Sequence, residues 1–377
     1  MKTALLTFFS LLLTNLVMEQ LSSPPDGWNQ KSSVTQWIGL VEVTIVYSSP
    51  DVHSPSGEDR KGHIWGEVVH YGFIDQGYGT SKAAPWRAGA NQNTTISFSH
   101  DVNINGKELK AGTYGLFLDV EKDGPWQWIF SKDSNHWGSY FYDESQDALR
   151  TAATPVATSY TEWLTYGFDD REPSSAVAYL AWENKRIEFK VEVPGVYELY
   201  VDKFRDELSG STKGFTYTNY MEAAQFCAQH KIQLEQGLQW AETAIGGSFV
   251  GKKDFNSLQT KARVLYAMKK EQEADAVMQE AIKDPTATLT DLHQLGRSLV
   301  ASGKKEKAME VFQLNRKQHP KDKFTTYVGL ARGYTAMGDN ENAIRNWEIA
   351  IRNIPEDQKG SVGQYEAELK KLRVSEK

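Results

Sequence analysis

Imidazole is the side chain that both binds metals and moves protons near neutral pH, so the histidines are the first residues to weigh. Five of the eight, His53, His63, His70, His100 and His136, lie in the N-terminal half. Their spacing makes no metal motif: the chain has no His-x-His, no His-Glu-x-x-His and no cysteine pair. His63 and His70 are seven residues apart, so on one regular strand they would face opposite sides, and only a turn would bring them together. No metal and no cofactor is expected. Two tryptophans and two directed donors stand among these histidines. Trp65 and Trp86 offer aromatic faces on which a sugar or another flat ligand stacks, and Arg87 and Asn91 offer hydrogen bonds of fixed direction. The candidate ligand-binding set is therefore His63, Trp65, Glu67, His70, Trp86, Arg87 and Asn91. The same residues also fit a structural corner, with Arg87 paired to a carboxylate such as Glu67 and Asn91 satisfying turn amides. Convergence of His63, Glu67, His70 and Arg87 in one open pocket would favour an enzyme. Nucleophilic chemistry has no local signature, neither a Gly-x-Ser-x-Gly elbow nor a phosphate-cradling glycine loop, so no catalytic residue is assigned.

The elements that must position these residues read as strands. From 34 to 201 the hydrophobic period is two: Val41, Val43 and Ile45 alternate with Glu42 and Thr44, and Ile96 and Phe98 alternate with Thr95 and Ser97. Asn105-Gly106 between two extended arms is a strong hairpin signal. A second hairpin is expected over Val177–Trp182 and Ile187–Val193, turning at Glu183-Asn184-Lys185. Many short strands predict an antiparallel β-sandwich or jelly-roll-like domain. Nine of the eleven tryptophans lie in this half, which suits a wide aromatic core.

The C-terminal part is built differently. Pro285, Pro320 and Pro355 recur at 35-residue spacing, each closing a helix-like run. In the last unit Tyr327, Leu330, Ala331 and Tyr334 share one helical face, Gly338-Asp339 turns the chain, and Ala343, Trp347 and Ala350 share a second. The middle unit repeats this with Leu292, Leu295, Gly296 and Leu299, then Ala308 and Phe312, but carries Asn315 where the last has Ala350. The first is looser: Leu258, Ala262 and Leu265, then Ala274, Met278 and Ala281. Small residues such as Gly296 and Ala331 let a large neighbour pack between close helices. Residues 217–245 form a divergent hairpin with a similar rhythm, and 365–372 a polar capping helix. The run resembles tetratricopeptide repeats, which implies an α-solenoid over 215–375 whose concave side holds a protein or peptide partner. Arg297, Arg332 and Asn342 are expected to be solvated surface.

The N-terminal half carries a second resemblance. Its blocks are Ile64-Trp65-Gly66-Glu67-Val68-Val69, Trp86-Arg87-Ala88-Gly89-Ala90-Asn91, Asp101 to Lys107, Ala111 to Phe117 and Trp137-Gly138. In that order they resemble the bacterial secreted family known as domain of unknown function 2911. The resemblance implies a β-rich fold and an envelope or secreted location, and no reaction. Three features depart from the pattern: His70 stands in place of proline, Gln92 in place of glutamate, and a Gly-rich insertion runs from Ile74 to Pro85.

A net charge of −7 argues against nucleic acid as a partner. Residues 1–21, with Lys2 followed by an apolar run to Met18, read as a cleaved signal peptide, too short to span a bilayer. No lipid-anchoring cysteine follows, and no later segment is apolar enough for a transmembrane span. Cys227 is the only cysteine, so an internal disulfide is impossible and a small buried hydrophobe is expected. Residues 202–214, charged and then rich in Gly and Ser, read as the linker between the domains. The reading is a two-domain β + α protein, periplasmic or secreted, acting as a non-catalytic binding scaffold. The alternative is an envelope hydrolase acting on a glycan or peptide, with its site in the β-domain.

Overall fold

The computed structural model describes residues 29–375, and the expected signal segment, 1–21, lies outside them. The chain divides into two compact units at Val196/Tyr197.

The first unit holds two antiparallel sheets. The larger consists of β1 (Gln30–Ile38), β2 (Val41–Ser49), β3 (Thr95–Phe98), β6 (Gly112–Asp119), β7 (Trp126–Ser131) and β8 (Asp147–Ala153), in that order. The smaller runs β5 (Lys107–Leu109), β4 (Val102–Ile104), β10 (Ser175–Glu192), β9 (Val156–Glu172). Val41, Val43 and Ile45 of β2 are buried while Glu42 is exposed, as a half-buried strand requires. Aromatic side chains join the sheets. Trp128 and Phe130 of β7 meet Phe189 of β10 with ring centroids 5.2 and 5.3 Å apart, and Tyr47 of β2 meets Tyr166 of β9 at 4.8 Å. The buried Trp128 keeps its indole N–H satisfied by donating to the Glu188 carbonyl at 3.2 Å. Asn105 and Gly106 both take positive φ, 49° and 79°, as a two-residue turn between β4 and β5 demands.

The hairpin expected at Glu183-Asn184-Lys185 is not there. β10 runs unbroken through these residues, and the register against β9 shifts on both sides of Glu183, whose φ is 54°. The polar triplet marks a bulge, which bends a strand without ending it. Glu183 is 3% exposed, and its carboxylate accepts the Gly62 amide of the loop that follows β2. The true partner, β9, is a long strand whose polar stretches hide its period.

The second unit is helical: α1 (Val196–Gly210), α2 (Tyr217–His230), α3 (Leu234–Gly246), α4 (Phe255–Ala267), α5 (Glu271–Ala281), α6 (Leu289–Ala301), α7 (Lys305–Gln318), α8 (Thr325–Met337), α9 (Asn340–Arg352) and α10 (Val362–Ser375). The helices pair in sequence in a tetratricopeptide-like arrangement, and each repeating proline falls just beyond a helix: α5, α7 or α9. Capping boxes start α4 (Asp254 with Ser257) and α6 (Thr288 with Asp291). Asn315, the departure from the repeat, is 1% exposed; its amide donates to the Leu289 carbonyl at 3.0 Å, so burial leaves it satisfied. Most of the expected linker, 202–214, is helix. Val201, Phe204 and Leu208 of α1 lie on one face and pack against α2 and α3, and only the Gly-Ser end leaves it.

Candidate functional site

Residues 50–94, between β2 and β3, carry the whole candidate set, and the fold divides it into separate groups. Trp65 and Trp86 enter a tryptophan cluster. Trp86 stacks on Trp182 with ring centroids 6.2 Å apart, and Trp65 meets Trp86 edge-on at 5.9 Å and Trp126 at 5.2 Å. Trp86 is 7% exposed, so it is core rather than a free stacking face. Trp86 also bridges Leu118, which holds the segment extended, and neighbours in an extended segment point to opposite sides. Arg87 therefore leaves the cluster that Trp86 joins.

Arg87 is half-buried and faces Tyr140. Burial holds its guanidinium pKa below the ordinary range, with Tyr140 opposing that shift, and its Nε has no hydrogen-bond partner among the described residues. Gly138 makes the room: its φ is 64°, and a Cβ there would lie 2.3 Å from Arg87 Nη1. His70 lies within reach of the Arg87 charge. Burial lowers its pKa first, and Arg87 lowers it further, against hydrogen bonds the ring donates to the backbone. His70 Nδ1 contacts the Gly72 carbonyl at 2.9 Å, and Nε2 is buried without a partner among the described residues.

His63 and Glu67 are a third group. They pair with each other at 2.7 Å, both well exposed, and Glu67 raises the His63 pKa. The expected Arg87–Glu67 pair does not form. Asn91, with φ 59°, accepts a hydrogen bond from the Asn29 side chain at 3.3 Å. The structure thus brings together Trp65 with Trp86, His70 with Arg87, and His63 with Glu67, while Asn91 belongs to the start of β1.

The helical unit holds a second candidate site. A groove of about 330 Å³ is lined by Arg297 of α6, Arg332 of α8, Trp347 of α9 and Glu368 of α10. Arg332 is not solvated surface. Its guanidinium lies 5.7 Å from the centre of the Trp347 ring, and its Nε is buried with no partner among the described residues. Burial and the like charge of Arg297 both push its pKa down. The signal was present in the spacing: Arg297 and Arg332 are 35 residues apart, the repeat length, so they occupy equivalent positions on the first helices of successive repeats. A second hollow of about 740 Å³ lies between Leu208, Gly214, Tyr220 and Gly247, with Phe215 and Phe249 exposed at its edge.

Comparison with known proteins agrees with the resemblance of the N-terminal half. Residues 29–191 match the model of a family described as a protein of unknown function, DUF2911. The solved structures that match include MamA from Desulfovibrio magneticus RS-1, 17% identical over 42% of this chain and 96% of that one, with a TM-score of 0.27. They also include YrrB, described as a TPR protein with an unusual peptide-binding site, 17% identical over 42% and 79% of the two chains, with a TM-score of 0.28. No curated protein matches the chain.

Proposed function

We propose that this chain is a non-catalytic binding protein whose helical unit holds an acidic segment of a protein partner. One observation carries the reading: two guanidiniums, Arg297 and Arg332, line one groove, and Arg332 is half-buried with an unpartnered Nε. Glu368 offsets part of that charge, but burial and Arg297 outweigh it, and a carboxylate accepting the unpartnered N–H would relieve the cost that remains. Trp347 beneath Arg332 supplies an apolar wall, and Glu368 at the rim would turn away segments that present an acid there. Panning a random-peptide display library on the full chain tests this, in parallel with an Arg297→Gln/Arg332→Gln variant of equal helicity. Acidic peptides enriched on the parent and lost on the variant support the reading. Enrichment indifferent to the substitutions overturns it.

The proposal includes export, on the apolar run after Lys2. Fractionating the native host and sequencing the mature N-terminus tests that part, and a full-length cytoplasmic chain would refute it. In the first unit, half-buried Arg87 beside His70 is where we place a small anionic or glycan ligand. The hydrolase alternative gains no support from the geometry, since His63 and Glu67 pair in the open while Arg87 faces Tyr140.

A further inference from the structure

A group far apart in the sequence meets on the first unit. Pro50 to Val52 lies along β9: Leu164 donates its amide to the Pro50 carbonyl at 2.9 Å, Val52 donates to the Glu162 carbonyl at 3.0 Å, and Asp51 bridges Trp163. That pairing sets Glu162 beside Asp51 and His53. One potential ligand atom from each of Asp51, His53 and Glu162 lies within 4.8 Å of the other two. Ligands about 2.0–2.2 Å from one ion stand that close to one another.

The three groups converge on a single ring nitrogen. His53 Nδ1 is 2.5 Å from Glu162 Oε1 and 3.6 Å from Asp51 Oδ1. One N–H cannot serve both carboxylates. The surroundings orient the group: the His53 amide donates to Asp51 Oδ1 at 2.9 Å, and the Tyr160 hydroxyl donates to Glu162 Oε2 at 2.5 Å. Asp59 stands on the far side of the ring, 4.0 Å from Nε2, where it would orient an imidazole that ligates through Nδ1. Arg60 clamps the loop from behind, donating to the backbone carbonyls of Asp51, Val52 and His53.

We infer that Asp51, His53 and Glu162 form a binding site for a divalent transition-metal ion, with His53 Nδ1 and one oxygen from each carboxylate as ligands. The mixed nitrogen and oxygen donors suit Zn²⁺ or Mn²⁺ better than Ca²⁺, which prefers all-oxygen shells of six to eight ligands. The ion would take the place of the proton on His53 Nδ1 and offset the mutual repulsion of the two carboxylates. Three protein ligands leave a coordination position open to water or to a ligand's own donor.

The test is calorimetric titration of the full, tag-free chain, stripped with EDTA, with Zn²⁺, Mn²⁺ and Ca²⁺. The expected result is one Zn²⁺ or Mn²⁺ per chain, bound more tightly than Ca²⁺. Glu162→Gln keeps the shape and the Tyr160 contact, so it tests the charge with little risk to folding. That variant and His53→Ala should each weaken binding by about tenfold or more, while His100→Ala leaves it unchanged. Absence of Zn²⁺ and Mn²⁺ binding by the parent overturns the inference. Equal binding by the parent, Glu162→Gln and His53→Ala also overturns it, because the ion would then sit elsewhere.

Discussion

Replacing Gly296 by alanine should destabilise the helical unit, although alanine is the better helix former. On propensity alone the change is worth about 1 kcal/mol in favour of the variant. The structure puts a larger cost against it. A Cβ on Gly296 would lie 2.3 Å from Phe312 Cε1 and 2.7 Å from both Cδ1 and Cζ. The ring cannot back away, because it is 1% exposed and α8 closes its other side: a Cβ at Gly329 would come within 2.6 Å of Cδ1 and one at Gly333 within 3.0 Å of Cδ2. Overpacking a well-filled core costs about 1–3 kcal/mol, and an immobile ring puts this site toward the upper end. The expected net loss is about 1–2 kcal/mol after the propensity gain. Urea unfolding of the full chain, followed by helical circular dichroism, reads it as a lower midpoint. Gly363→Ala on α10 is the control: nothing lies within 4 Å of a Cβ there, so that variant should match or exceed the parent. Combining Gly296→Ala with Phe312→Leu should cost less than the two single losses added, since the smaller side chain vacates the space the methyl needs. A Gly296→Ala protein as stable as the parent, or a strictly additive pair, would refute the packing argument.

Three further expectations follow from individual side chains. His293, buried near Arg332 and Arg297 with Asp322 opposing them, has its pKa pushed down to about 4, chiefly by burial. Its folded pKa lies below the unfolded value of about 6.5, so the unfolded chain takes up the proton first; stability present above about pH 6.5 should fall, by on the order of 3 kcal/mol, as pH drops toward 4, and His293→Gln should remove that part of the slope. Cys227 is fully buried in α2 and its thiol pKa is pushed up to about 11 by burial, so a thiol reagent at neutral pH should label the unfolded chain and leave the folded one unmodified; prompt native labelling would contradict this. Asp254 accepts the Ser257 amide at 2.9 Å and the Tyr217 hydroxyl at 3.2 Å, so Asp254→Ala should lower the urea midpoint by an amount equivalent to about 1–2 kcal/mol, and an unchanged midpoint would show that the cap is idle.

The sequence by itself determined the helical repeats and the resemblance of the N-terminal half, because both are local in the chain. A helical face recurs every three to four residues and the helix pair every 35, so Leu292, Leu295 and Gly296 announce α6 without any knowledge of what covers them. Asn105-Gly106 is equally self-contained, since a two-residue turn depends on the φ its own residues adopt. The Glu183-Asn184-Lys185 triplet misled for the converse reason: the same polar residues suit a turn or a bulge, and only β9 alongside decides between them. Residues 202–208 looked like linker because charge masked Val201, Phe204 and Leu208, whose face is apolar only once α2 and α3 stand opposite.

Tertiary structure alone decided which functional side chains meet. Trp86 and Arg87 are neighbours in the chain, yet the extended backbone sends them to opposite sides, one into the tryptophan cluster and the other toward Tyr140. Glu162 lies 109 residues from His53 and touches it because Pro50 to Val52 docks against β9. Helical contacts repeat at short separations that a sequence displays directly. Contacts between sheets and loops link residues at arbitrary separations, and no local period encodes them.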